Sequence, residues 1–308
     1  MTLSVWMTPT PFEAMRDQTN AIHNIVCRMD KYLPDYGIQL VEQPDNAALY
    51  AGHAGQGSQG AVDVAIYHGI YNTAQGSDNF AVNAEVIKNL KSARIVIAPS
   101  EWISMVIKRD MHIDPRIIPW GVDTDEWQPV KEHGNYVIWN KARVDNITNP
   151  QPMLELAARA NDVLFLTTFG QGTPNVRTVG RQIYPVMKEM VRNAAVYLSL
   201  NVETWGLGLA EALAAGIPIL GFRQGNLPDL IEHGVHGFMA EPGDMNGLYE
   251  GLQYCLKHRD RLGANARERA KDFPWQNTAK RFSEVFHDAW TMKQDIRPHR
   301  IDESLYKV

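Results

Sequence analysis

An α/β protein built from two Rossmann-like, doubly wound domains facing a cleft is the architecture predicted by this sequence of 308 residues. Three observations predict it. Short apolar runs alternate with longer amphipathic stretches, the pattern of βαβ units and parallel sheets. The length reaches past the ~250–300 residues at which one core stops growing, so two domains of roughly 150 are expected. A polar stretch at 128–134, QPVKEHG, contains Pro129 and Gly134 and reads as a linker.

In the first series, 3–7 is a short strand, and 13–33 is helical in spacing with Ile22, Ile25, Val26, Met29 and Leu33 on one side. A second strand follows at 37–41, then a glycine-rich loop at 52–60, GHAGQGSQG. Residues 62–67, VDVAIY, form a buried-strand run ending in His68-Gly69. A helix at 83–91 precedes the strand 94–98, RIVIA, which Pro99-Ser100 stops. The helix 102–109 and the strand 116–119 lead into Trp120-Gly121-Val122-Asp123.

The second series has strands at 136–139, 163–168, 177–180, 196–200, 217–221 and 237–240. Its helices are expected at 152–160, 186–193, 207–215 and 245–258, with a short helix and turn at 226–234 and a largely helical tail from Arg259. The domains are therefore 1–130, completed by a C-terminal helix over about 275–308, and 131–274. A ligand cleft belongs at the carboxyl ends of the strands.

Composition excludes several classes. Hydrophobic residues make up 44% and charged residues 21%, ordinary for a globular protein and unlike a disordered, collagenous or disulfide-scaffold chain. Cys27 and Cys255 sit in apolar helical stretches and read as buried free thiols. No uncharged apolar run approaches 18 residues, so no membrane-spanning helix and no stable membrane insertion are expected. The first residues, MTLSVWMTPTPFEAMRD, lack the basic and apolar regions of a signal peptide, and a cytoplasmic location is expected. The net charge of −5 gives no electrostatic footprint for nucleic acid. Residues 1–130 carry a net −6 and the rest a net +1.

The most informative stretch is 196–221, VYLSLNVETWGLGLAEALAAGIPILG. A strand ends in a polar loop, and Gly206 opens an Ala/Leu-rich helix. Glu203 lies on the loop and Glu211 eight residues later in the helix. A helix N-terminus presents unpaired N–H groups and partial positive charge to a phosphate. Gly206 allows close approach of a ligand, and carboxylates accept hydrogen bonds from paired sugar or ribose hydroxyls. The layout suits a ligand with a diphosphate and polyols.

This stretch resembles the donor-binding signature of retaining GT-B glycosyltransferases of the family-four type, the glycosyl transferases group 1. Residues 93–108 (ARIVIAPSEWISMVIK), 117–129 (IIPWGVDTDEWQP) and 226–244 (NLPDLIEHGVHGFMAEPGD) resemble further segments of that family in the right order. The resemblance covers about 93–290. It implies a nucleotide-diphosphate sugar (UDP-, GDP- or ADP-sugar) as donor, a hydroxyl acceptor, retention of configuration, and no required cofactor or metal. Glu211 then holds ribose hydroxyls, Glu203 faces the transferred sugar, and the amides of Trp205, Gly206 and Leu207, with Thr204 beside them, meet the diphosphate and sugar. The family's basic pair falls on WNKARVDNITNP, where Arg143 fits the arginine but the lysine position falls near Thr148 or Asn149; Lys141 is the substitute. The base is expected against 169–181, with Phe169, Gly170, Val179, Gly180 and Arg181 as candidates. The family's strand-end histidine matches His68, with His53 as its competitor. The resulting set is Glu203 and His68 for catalysis, and Lys141, Arg143, Gly180, Glu203, Thr204, Trp205, Gly206, Leu207 and Glu211 for the donor.

Plainer readings stand beside these. A lone helical Glu is usually solvated surface. Lys141 and Arg143 could form an exposed turn pair, and a strand-end His is often a structural hydrogen-bonder. The glycine-rich run has no P-loop spacing and reads as a cleft loop. No Cys/His cluster has zinc spacing, and Asp123-Thr124-Asp125 belongs to the Gly-Val-Asp segment. The acidic first domain favours a soluble glycan, small-molecule or protein acceptor; a nucleic-acid base fits the fold but lacks a basic patch. A catalytically silent nucleotide-sugar or glycan-binding protein and a nucleotide-sugar epimerase are the other readings.

Overall fold

A computed structural model describes residues 2–16, 20–54, 62–69, 78–141 and 148–295. It contains two six-stranded parallel sheets. The first holds β1 (Leu3–Thr8), β2 (Ile38–Val41), β3 (Leu49–His53), β4 (Val64–Ile66), β5 (Ile95–Ala98) and β6 (Arg116–Ile117) in the order β2-β1-β3-β4-β5-β6. Its helices are α1 (Pro11–Arg16), α2 (Ala21–Tyr32), α3 (Asp78–Ser92) and α4 (Glu101–Met111). Every residue of β4 and β5 is buried, because helices cover both faces of a parallel sheet.

The second sheet holds β7 (Tyr136–Trp139), β8 (Leu164–Thr167), β9 (Val176–Thr178), β10 (Val196–Ser199), β11 (Ile219–Phe222) and β12 (Gly237–Ala240) in the order β12-β11-β10-β7-β8-β9. Its helices are α5 (Gln151–Arg159), α6 (Tyr184–Arg192), α7 (Leu207–Ala214), α8 (Leu227–Leu230), α9 (Met245–Lys257) and α10 (Arg259–Ala270). The strand order reverses beside the first strand of each sheet, between β1 and β3 and between β7 and β10. Such reversals open a crevice at the carboxyl ends of the strands.

The last helix, α11 (Trp275–Asp295), leaves the second sheet and packs on the first. It buries Trp275, Ala279, Phe282, Phe286 and Ala289. Its Lys293 Nζ donates to Ala48 O and Asp63 Oδ2, each at 3.0 Å, and Asp288 pairs with Arg116. Where it begins, the Val122 amide donates to Phe273 O at 2.8 Å. A Cβ on Gly121 would stand 2.5 Å from Trp275 Cα, so only glycine admits this crossing. No helix among the described residues is long and apolar enough to cross a membrane.

The structure corrects four sequence expectations. The helix expected at 13–33 is two helices: Asn20 has extended backbone and its side chain accepts from the Ile22 amide at 2.9 Å, an N-cap that starts α2 anew. The apolar spacing runs on through the break and conceals it. Strand β3 is an addition: its sequence, LYAGH, ends in Gly52-His53, which reads as the start of the glycine-rich loop. His53 therefore stands on a strand in the sheet; residues 55–60 of that loop lie outside the described residues. The expected strand 177–180 ends at Thr178, and Gly180 turns the chain at φ 71°. Cys255 is buried as expected, but Cys27 is only half-buried; both thiols are free.

Candidate functional site

The loop that follows β10 forms one lip of the crevice. Asn226 holds it from below: its Nδ2 donates to Trp205 O at 2.9 Å, and its amide donates to Glu203 O at 2.9 Å. The Trp205 indole is buried edge-on against Phe273, with centroids 5.2 Å apart. Trp205 thus offers the cleft its backbone, not its ring. Gly206 stands at φ 90°, a left-handed conformation natural to glycine, and caps α7 without any side-chain hydrogen bond. The first amides of α7 are thereby left for a ligand. Gly208 is equally constrained: a Cβ there would lie 2.4 Å from the Tyr197 hydroxyl, which donates to Asn140 Oδ1 at 2.7 Å.

Lys141 stands two residues past β7, and its ammonium pairs with the Glu203 carboxylate across the crevice. Burial disfavours the charged lysine, but the Glu203 carboxylate beside it, with Glu211 behind, outweighs that and holds its pKa above the usual range. Thr168 fixes the lysine's backbone by donating to Lys141 O. Thr148 is buried and accepts from Asn201 Nδ2 at 3.2 Å, so a neutral hydroxyl stands where the family resemblance expected a cation. Arg143 lies outside the described residues.

Glu211 sits half-buried one turn further into α7. Burial pushes its carboxyl up to about 8; the Arg28 guanidinium opposes this and Glu126 adds to it. Nothing in the sequence pattern signals this neighbourhood. Arg28, from α2 on the first sheet, pairs with Glu126 and donates to the Tyr184 hydroxyl at 3.4 Å. Lys188 stands 3.7 Å from Glu126. A cavity of about 20 Å³ between Arg28, Asp123, Tyr184, Leu207 and Glu211 marks the same spot. Asp123 is structural: it accepts from Tyr32 Oη at 2.9 Å, Lys31 Nζ at 3.2 Å and the Glu126 amide at 3.1 Å. Arg28 and Tyr184 are far apart in the chain and carry no motif, so only the tertiary fold reveals them.

The first sheet supplies the opposite lip. Ser100, the N-cap of α4, accepts from the Ile103 amide at 3.2 Å and donates to Thr204 O at 2.7 Å. Gly69, at φ 112°, faces the Thr204 side chain; a Cβ there would lie 3.6 Å from it. His68 adjoins Gly69, and His53 lies against His68 with both rings near Trp120. Burial lowers the His68 pKa to about 4 and holds His53 well below its usual value, so both rings are neutral.

The structure thus gathers Lys141, Glu203, Thr204, Trp205, Gly206, Leu207 and Glu211 at one crevice; Gly69 faces Thr204 there, and the ring of the adjoining His68 packs against His53 and Trp120. The base-side candidates form a neighbouring wall. Phe169 is buried against Trp139 at 5.3 Å, Gly170 O accepts from Thr178 Oγ1 at 3.1 Å, and Gln182 donates to Val179 O. An open groove of about 470 Å³ lies elsewhere, by α8 and β12. Its Arg223 is committed to Glu241, and its Arg269 to Asp272 and the carbonyls of Asp229 and Leu230. Among the described residues no group of three or more His, Cys, Asp or Glu could hold a metal ion.

Residues 125–272 match the family described as glycosyl transferases group 1. The chain is similar to N-acetyl-alpha-D-glucosaminyl L-malate synthase of Bacillus anthracis, 34% identical over 91 residues, which cover 28% of this chain and 24% of that protein. The matched segment thus spans about a quarter of that relative's length. In fold it is similar to sucrose-phosphate synthase from Thermosynechococcus elongatus, with a TM-score of 0.77 at 15% identity, covering 95% of this chain and 100% of that one. It is also similar to HepE of Anabaena, solved in complex with UDP, with a TM-score of 0.67 at 13% identity, covering 94% and 100%. Two doubly wound α/β units arranged as in these GT-B structures are therefore the fold of this chain.

Proposed function

We propose that this chain, which belongs through residues 125–272 to the glycosyl transferases group 1 family and has the GT-B fold, moves a sugar from a nucleotide-diphosphate donor to a hydroxyl acceptor, with retention and without a metal. The observation that carries the reading is the Lys141–Glu203 pair, set across a strand-order reversal and beside the uncapped start of α7. The donor-side domain is 131–274. The acceptor side is 1–130 with the helix from 275 onward.

Each group then has a task. The diphosphate rests on the amides of Trp205, Gly206 and Leu207, where the helix start favours negative charge. Lys141 turns from Glu203 to the diphosphate and neutralises the charge that grows on the departing nucleotide. Glu203, released from the lysine, accepts hydrogen bonds from sugar hydroxyls and orients the ring. Glu211 accepts from the ribose hydroxyls. The acceptor attacks on the face the nucleotide leaves, and the leaving phosphate oxygen takes the acceptor's proton. His68 touches the sugar from the opposite lip. UDP in the HepE structure supports a nucleotide donor, and the name of the Bacillus anthracis relative supports a small acceptor. The net −6 of residues 1–130 points the same way, toward a soluble acceptor.

The test is release of nucleoside diphosphate over a panel of UDP-, GDP- and ADP-sugars. One donor is turned over, its product keeps the anomeric configuration by NMR, and Lys141→Ala lowers kcat/KM about 10²–10³-fold. A donor that binds but is never cleaved or transferred overturns the enzyme reading in favour of a silent binding protein.

A further inference from the structure

His53 ends β3, and His68 lies two residues past the end of the neighbouring strand β4, both on the cleft side of the first sheet. His53 is fully buried and His68 half-buried. His53 Nδ1 lies 2.5 Å from His68 Nε2, the ring planes are 20° from parallel with centroids 4.8 Å apart so that the two rings meet edge to edge, and Trp120 lies within 6.2 Å of both centroids. His53 Nε2 is buried with no hydrogen-bond partner among the described residues.

Two neutral rings in this contact share one proton between Nδ1 of one and Nε2 of the other, and the orphaned nitrogen decides which ring owns it. Were the proton on His68 Nε2, neutral His53 would carry its own on Nε2, a buried N–H with no acceptor. With the proton on His53 Nδ1, the His53 Nε2 atom is a bare ring nitrogen. Orphaned buried donors are rarer than under-satisfied acceptors, so the second arrangement is favoured. We infer that His53 is a positioning residue that donates from Nδ1 to His68 Nε2 and so fixes His68 as the Nδ1–H tautomer, a hydrogen-bond donor toward a sugar hydroxyl. The sugar contact rests on the function proposed above; the tautomer does not. The orphaned nitrogen thereby has a reason: a donor on Nε2 of His53 would reverse the polarity of His68.

The experiment is a long-range ¹H–¹⁵N correlation spectrum of the full chain labelled at histidine, which reads tautomers without any substrate. The wild type shows His68 protonated on Nδ1, His53→Asn preserves that pattern because its amide N–H replaces the ring donor, and His53→Phe shifts it to Nε2–H. An Nε2–H His68 in the wild type overturns the inference, as does a pattern unmoved in His53→Phe; the spectrum gives the same answer whether or not a sugar is transferred. With the donor that the panel identifies, His53→Phe lowers kcat about tenfold or more at little change in KM, and His53→Asn holds it within about threefold. Equal losses in both variants, tracking an equal fall in Tm, mark a packing role instead and also overturn it.

Discussion

Glu211 draws its chemistry from the fold around it. On a bare helix it would ionise near 4.5; buried between α7, Tyr184 and the Arg28–Glu126 pair it holds its proton up to about 8. Between those two values the folded chain binds more protons than the unfolded one, so this group's contribution is complete below 4.5 and fades as pH rises through 8. Glu211→Gln removes that loss. Thermal denaturation across pH 5–9 therefore shows the variant gaining on the wild type as pH rises, and a gap constant with pH contradicts the assignment. On the proposed reading, donor hydroxyls stabilise the ionised carboxylate. Glu203 and Glu211 are legible in the sequence because their spacing, the glycine between them and the apolar continuation form one contiguous pattern. Arg28 and Tyr184 are not, because their meeting depends on two segments 156 residues apart.

Elements carry the next layer. The crevice exists because the chain enters β7, returns through β10 on its inner side, and stops both strands at the same level. Segment 207–214 is readable as a helix from composition, and its bounds shift by one residue. The break before α2 and the strand β3 are not, since a polar N-cap inside an apolar rhythm and a glycine inside a strand both imitate something else. Ser100 shows how one side chain serves two elements: it caps α4 and clasps the backbone of Thr204. Ser100→Ala removes a cap worth about 1 kcal/mol and leaves Thr204 O unpaired by it, which lowers Tm by about 2–8 °C. Ser100→Thr, which keeps the hydroxyl, holds most of that; an unchanged Tm in the alanine variant contradicts the clasp.

At the scale of the whole molecule, two passages of chain join the sheets, and they run side by side where Val122 meets Phe273 and Gly121 meets Trp275. The return of α11 to the first sheet means that the half proposed to take the acceptor is built from residues early and late in the sequence. Charge divides along the same line, with the acidic residues 1–130 opposite a near-neutral half that offers Lys141 and the start of α7 to an anion. The family match covers residues 125–272, so on the proposed reading acceptor choice falls to residues that no shared motif marks. The central claim is that a nucleoside diphosphate seats in the crevice between β7 and β10. Isothermal titration calorimetry with UDP, GDP and ADP tests it. One of the three binds one-to-one, Glu211→Ala weakens it about tenfold or more, and Arg223→Ala in the outer groove leaves it unchanged. The claim is contradicted if none binds, or if binding survives Glu211→Ala and is lost with Arg223→Ala.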